Sequence, residues 1–156
     1  MDIAVNYDYR EEDIRAALDV ERLAEFVIRN EEKPESTEVS ISFVENDEIH
    51  ALNRDYRGID APTDVLSFEC DNIDDEFSSV SDDEPYELGD IVIAPDIAER
   101  QTAEFGTTFS DELSLLITHG LLHLCGWDHM QDEEAEAMEA REQELLSEYF
   151  GRTFER

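Results

Sequence analysis

The chain has 156 residues, 40% of them hydrophobic, with eight Phe, five Tyr and one Trp; 43 acidic side chains against 11 basic ones give a net charge of −32. Such a length supports one domain with one core, and such a hydrophobic content excludes a wholly disordered acidic tail. No run approaches the ~20 apolar residues of a membrane span, Met1-Asp2-Ile3-Ala4 lacks the basic-then-apolar order of a secretory signal, and Cys70 and Cys125 make no disulfide framework, so the expected location is cytoplasmic.

In chain order, Ile3 to Tyr7 alternates loosely and predicts a strand. From Glu11 to Arg29 the apolar positions Ile14, Leu18, Leu23, Phe26 and Val27 fall at helical spacing, with Pro34 as the stop beyond. Val39-Ser40-Ile41-Ser42-Phe43 alternates strictly, the mark of a strand with one buried face. Asn46 and Asp47 can cap a short helix ending near Asn53, with His50 on its exposed side, and Tyr56 to Thr63 reads as a loop because it holds Gly58 and Pro62. Val65 to Phe68 predicts a second strong strand. Residues 71–87 are rich in Asp, Glu and Ser with few apolar anchors, and predict an exposed acidic loop without the fixed ligand spacing of a calcium site. Gly89 to Ala94 predicts a strand ended by Pro95, and Asp96 to Phe105 a helix. Ser110 with Asp111 and Glu112 opens a further helix to about Cys125. Asp132 to Phe150 closes the chain as an amphipathic helix carrying Met138, Leu145 and Leu146. Strands precede and interleave with helices and no linker interrupts them. The expectation is one α+β domain over residues 1–156, with about four strands packed with about five helices.

Three of the four histidines lie within eleven residues, His119, His123 and His129. The helix that carries the first two is apolar almost all round (Leu113, Leu115, Leu116, Ile117, Leu121, Leu122, Leu124), which marks it as buried. His119 and His123, four apart, share one face one turn from each other. Gly126 sits where a helix end takes a left-handed residue, so the chain can fold back and bring His129 to the same point. Three neutral imidazoles with an open position suit one metal ion, and two histidines on a buried turn must each find a partner away from water. The spacing H-x-x-x-H-x-x-G-x-x-H is that of the metzincin proteases with one change: the general-base Glu after the first histidine is here Gly120, which moves no proton. Asp128 is the nearest acid and could orient a ligand histidine or cap a turn. Glu112 shares the histidine face but lies about 10 Å away by helix rise, too far to coordinate. Cys125 points away from that face and reads as core.

Read together with Leu52-Asn53-Arg54-Asp55-Tyr56-Arg57-Gly58-Ile59-Asp60-Ala61-Pro62-Thr63-Asp64-Val65-Leu66-Ser67-Phe68 and Leu88-Gly89-Asp90-Ile91-Val92-Ile93, the histidine string resembles the YbeY family of rRNA maturation factors, bacterial metal-dependent endoribonucleases. The resemblance covers about residues 37–150. It implies a small α+β domain with a mixed sheet and a cleft beside the metal. It implies zinc, one ion per chain, on His119, His123 and His129, and a functional arginine at Arg57, with these four as the catalytic set. It also implies a single-strand-preferring endoribonuclease acting in 3′-end maturation of 16S rRNA and in ribosome quality control, whose partners are ribosomal RNA, the small subunit and a small-subunit ribosomal protein, with no membrane and no DNA. Glu69 stands where the family commonly has proline, and Cys125-Gly126-Trp127 where Leu-Gly-Tyr is usual; neither change touches a ligand.

A three-histidine metal polarises a phosphoryl oxygen, and Arg57 could hold a phosphate bidentately. Thr63, Asp64 and Ser67 either shape the cleft or make the turn and strand start. The charge opposes RNA affinity, which phosphate contacts normally carry. Ten of the eleven basic residues are Arg, with Lys33 the one lysine; the acid excess reads as adaptation to a salt-loaded cytoplasm. The expectation is local: the metal and Arg57, with Arg54 and Arg100, make one less-negative cleft that selects unpaired bases and shape. The alternatives are a non-catalytic ribosome-assembly factor with a structural metal, and a metalloprotease-like hydrolase.

Overall fold

In a computed structural model, residues 1–70, 85–127 and 131–156 are described. The strict alternation in Thr37–Phe43 (β2) buries Thr37, Val39, Ile41 and Phe43 on one face. On one side β2 pairs in parallel with Asp2–Tyr7 (β1), Val5 opposite Ile41, and on the other with Tyr86–Ile93 (β4), Ile41 opposite Ile91. Val65–Glu69 (β3) runs antiparallel to β4 and forms the edge, so the mixed sheet has the order β1-β2-β4-β3.

Among the described residues six helices surround it: Glu11–Ala17 (α1), Val20–Asn30 (α2), Asn46–Arg57 (α3), Pro95–Phe105 (α4), Phe109–Leu124 (α5) and Asp132–Phe150 (α6). The mixed sheet of four strands among the described residues is as anticipated; the described helices number six rather than about five, because the segment from Glu11 to Arg29 is two. Leu18 is extended, and the Asp19 carboxylate accepts from the Arg22 amide at 3.1 Å to cap α2. Two further boundaries move. α3 begins after Glu45 and continues through Arg57 to Gly58, whose left-handed backbone closes it, so Tyr56 and Arg57 lie on a helix and not in a loop. β4 begins at Tyr86, taking Tyr86 and Glu87 out of the anticipated acidic loop by pairing them with Thr37 and Glu38; the rest of that loop, 71–84, lies outside the described residues.

The two faces of the sheet have separate apolar contents. Ile41, Phe43, Ile91 and Ile93 pack with Ile14, Leu23, Val27, Ile117, Leu121 and Leu145, which places α1, α2, α5 and α6 on one face. Leu66 and Val92 pack with Ile49 of α3 on the other, beside Val44, Ala94 and the half-buried Leu52 and Phe68. α5, apolar all round, is the buried axis of the larger cluster. No helix among the described residues is long and apolar enough to cross a membrane.

Candidate metal centre and cleft

α5 carries the site, and its ends are fixed by local chemistry. Thr108 and Asp111 form a reciprocal capping box: the Asp111 amide donates to Thr108 Oγ1 at 3.1 Å, and the Thr108 amide to Asp111 Oδ2 at 3.3 Å. The cap is thus Thr108, two residues before the anticipated Ser110. At the other end Trp127 N donates to the Leu122 carbonyl at 3.0 Å and Gly126 N to that of His123 at 3.1 Å, with Gly126 at φ 105°. Both bonds are those of a Schellman ending, so the anticipated turn-back at Gly126 is present. His129, like Asp128, lies outside the described residues.

His119 and His123 are both half-buried, one turn apart on α5. Between them Gly120 lets the helix approach the sheet: a Cβ there would stand 3.0 Å from Ile91 Cγ2 and 3.1 Å from Cδ1. The residue that deprives the motif of a protease's base is therefore the one that seats the histidines against β4. Ser67 Oγ of β3 reaches the Gly120 carbonyl at 3.5 Å from the same side.

His119 faces a cavity of about 410 Å³. Its apolar floor includes Val65, Leu115, Leu116 and Met138, and its charged lining is Asp64, Glu139, Glu142 and Arg156. Asp64, one of the residues read as shaping a cleft, accepts from Gln101 Nε2 at 3.1 Å, while Thr63 donates to Asp64 at 3.4 Å. Arg156 was not anticipated. It donates to Glu112 Oε1 from Nε at 3.1 Å and from Nη2 at 3.0 Å, and its guanidinium lies 3.8 Å from the centre of the Phe105 ring. Glu112, buried beneath it, also accepts from Thr107 Oγ1 at 2.9 Å, so it is a structural anchor as its distance from His119 required.

The second unanticipated residue is Glu142, whose Oε1 lies 2.9 Å from His119 Nδ1. Its signal was present in the sequence: it falls four after Met138 and three before Leu145, a carboxylate on the apolar stripe of α6.

Arg57 lies elsewhere. It is exposed on the last turn of α3, a helix packed on the opposite face of the sheet from α5, with no ion-pair partner among the described residues. Tyr56 beside it sets its ring 5.4 Å from that of Phe68 on the edge strand β3. Arg54 is paired with Asp55 at 3.1 Å. None of Arg54, Arg57 or Arg100 lines the cavity against His119; the cation there is Arg156, bound to a buried carboxylate. The anticipated arginine-lined cleft is thus not the cavity that His119 faces. His50, on α3, bonds to Asp60 beyond the end of that helix at 2.7 Å. Cys125 caps α5 and packs against the main core, and burial pushes its thiol up to about 11, a poor soft ligand.

Fold and site define a small α+β protein with a histidine pair on a buried helix, opening to a cleft at the edge of a mixed sheet. Comparison with known proteins narrows that class. The family model described as Endoribonuclease YbeY matches residues 4–150. The protein named Endoribonuclease YbeY from Bacillus velezensis is 45% identical over 135 residues, 86% of each chain. Its namesake from Chloroflexus aurantiacus is 48% identical over 129 residues, 82% of this chain and 83% of that one. The solution structure of TM1509 from Thermotoga maritima superposes with a TM-score of 0.58 at 28% identity, covering 96% of this chain and 92% of the other. The chain belongs to the endoribonuclease YbeY family, and its enzyme class is that family's, an endonuclease hydrolase.

Proposed function

We propose that this chain is a zinc-dependent endoribonuclease that prefers single-stranded RNA and acts in 3′-end maturation of 16S rRNA and in ribosome quality control, with ribosomal RNA, the small subunit and a small-subunit ribosomal protein as partners. The observation that carries the metal reading is the pair His119 and His123, one turn apart on an otherwise buried helix with a cavity in front of His119. Two neutral imidazoles in that relation suit zinc, and His129, two residues past the Schellman turn, would complete the set. A divalent ion held there supplies Lewis acidity to a phosphodiester. The chain's own part is to hold the imidazoles, to narrow the approach past Asp64 and Glu139, and to offer Arg57, without an ion-pair partner among the described residues, to a phosphate of an RNA strand lying across the β3 edge. RNA selection leans on unpaired bases and shape, since the surface gives little general phosphate affinity.

A ribosome-assembly factor that cuts little on its own is the second reading, favoured by one observation: Asp64, Glu139 and Glu142 line the cavity, and the Arg156 charge is offset by Glu112. The deciding experiment incubates zinc-loaded protein with structured small-subunit rRNA in molar KCl, with and without chelator, beside Arg57→Ala. Cleavage stopped by chelator and reduced at least tenfold by the substitution supports the nuclease. Stoichiometric zinc with no cleavage above that of Arg57→Ala supports the assembly factor.

A further inference from the structure

Glu142 is 5% exposed, while the other acids of α6 (Asp132, Glu133, Glu134, Glu136, Glu139, Glu144 and Glu148) face solvent. It stands between Met138 and Leu145, both core residues. Burying a carboxylate among apolar side chains is costly, and a buried polar pair is commonly no more stable than an apolar pair of the same volume. Stability alone would have favoured another Leu or Met on this stripe. What the carboxylate contributes is its 2.9 Å contact with His119 Nδ1, across 23 residues of chain. An acceptor at Nδ1 holds the proton there, fixes the ring plane, and puts the lone pair on Nε2, the atom that would meet a metal.

We infer that Glu142 is the positioning residue of the metal centre: through Nδ1 it selects the His119 tautomer and aims Nε2 into the cleft. The assignment rests on the metal reading above and goes beyond it. The same contact joins α6 to α5.

The test uses the full chain in molar KCl, as wild type, Glu142→Gln and Glu142→Ala. The first readout is zinc affinity by competition with a chromophoric chelator, the second the ¹⁵N shifts of the His119 ring in metal-free protein at pH 8. Wild type is expected to show the Nδ1–H tautomer. Glu142→Gln, which keeps volume and removes charge, should fold and bind zinc 10–100-fold more weakly. Glu142→Ala should also move the His119 tautomer toward Nε2–H. Zinc bound equally by wild type and Glu142→Gln, with His119 unchanged in both, overturns the inference while leaving the metal reading intact. A folded wild type that binds no zinc overturns both. If Glu142→Ala does not fold, the Gln variant and the wild-type tautomer decide alone.

Discussion

Gly120 separates this chain from a metalloprotease in two ways at once. It supplies no base, and the space a side chain would occupy is taken by Ile91. Restoring the protease glutamate should therefore cost stability and gain no chemistry. Gly120→Glu is expected to lose on the order of 1–3 kcal/mol in urea unfolding through overpacking, with no peptidase activity on casein. The two cysteines make a second residue-scale prediction. Burial holds the Cys125 thiol near 11, whereas Cys70, at the end of β3, donates to Glu87 at 3.1 Å in a half-exposed position. At pH 8 iodoacetamide should label Cys70 readily and Cys125 at least tenfold more slowly, until denaturant exposes both; peptide mass spectrometry reads the ratio. Of the site itself, the histidine pair and the turn at Gly126 were legible because their evidence is local: spacing four on an apolar helix and a glycine at its end. Arg156 was not, because it acts across the tertiary structure, 44 residues from Glu112; Glu142 shows in the sequence as a carboxylate on the apolar stripe of α6, but its partner, 23 residues away, does not.

At the scale of elements, local signals competed and the structure shows which prevailed. Ile14 to Leu18 and Leu23 to Val27 are each a helical step of four, and the out-of-phase step of five between Leu18 and Leu23 falls at the boundary that the Asp19 cap makes. The end of α3 escaped notice because Arg54 to Arg57 adds no apolar anchor, and the helix continues until Gly58 stops it. The start of β4 was hidden by acids that become strand only by pairing with β2. The first turn of α5 yields a pH prediction. Burial pushes the Asp111 carboxyl up, but hydrogen bonds from Arg152 at 2.6 Å and from Thr108 outweigh it and hold the group below the usual aspartate range. A carboxyl depressed on folding contributes stability that is present above its unfolded value, about 3.9, and is lost as pH falls through the folded one. Asp111→Asn should thus cost about 0.2–1 kcal/mol at pH 7, and the gap to wild type should close on acidification below about pH 3. Urea midpoints between pH 2 and 7 measure it; a gap that widens in acid would reverse the sign.

For the whole molecule the governing quantity is the net charge of −32. Much of the scarce positive charge is spent internally: Arg10 bonds Asp13, Asp96 and Glu99, Arg141 bonds Glu31 and Glu144, and Arg152 and Arg156 hold Asp111 and Glu112. The unpaired acids repel one another, and raising salt from 0.1 to 1 M shortens the screening length from ~10 to ~3 Å. Thermal stability should rise with KCl, by on the order of 5–10 °C if a few kcal/mol of repulsion are screened. RNA binding should follow the same physics with a result opposite to the usual one. A protein that binds through many basic contacts loses affinity steeply with salt. On the proposed function the phosphate contact would be Arg57 with a metal ion, and the opposing term is repulsion from the remaining acids, which salt weakens. The two dependences have opposite signs, so log affinity for a single-stranded rRNA fragment should be nearly flat or rising between 0.2 and 2 M KCl. Fluorescence anisotropy on zinc-loaded protein tests this. A slope near −1 or steeper would mean that Arg57 and the metal govern binding even at a charge of −32, and that the acidic surface stands clear of the RNA path.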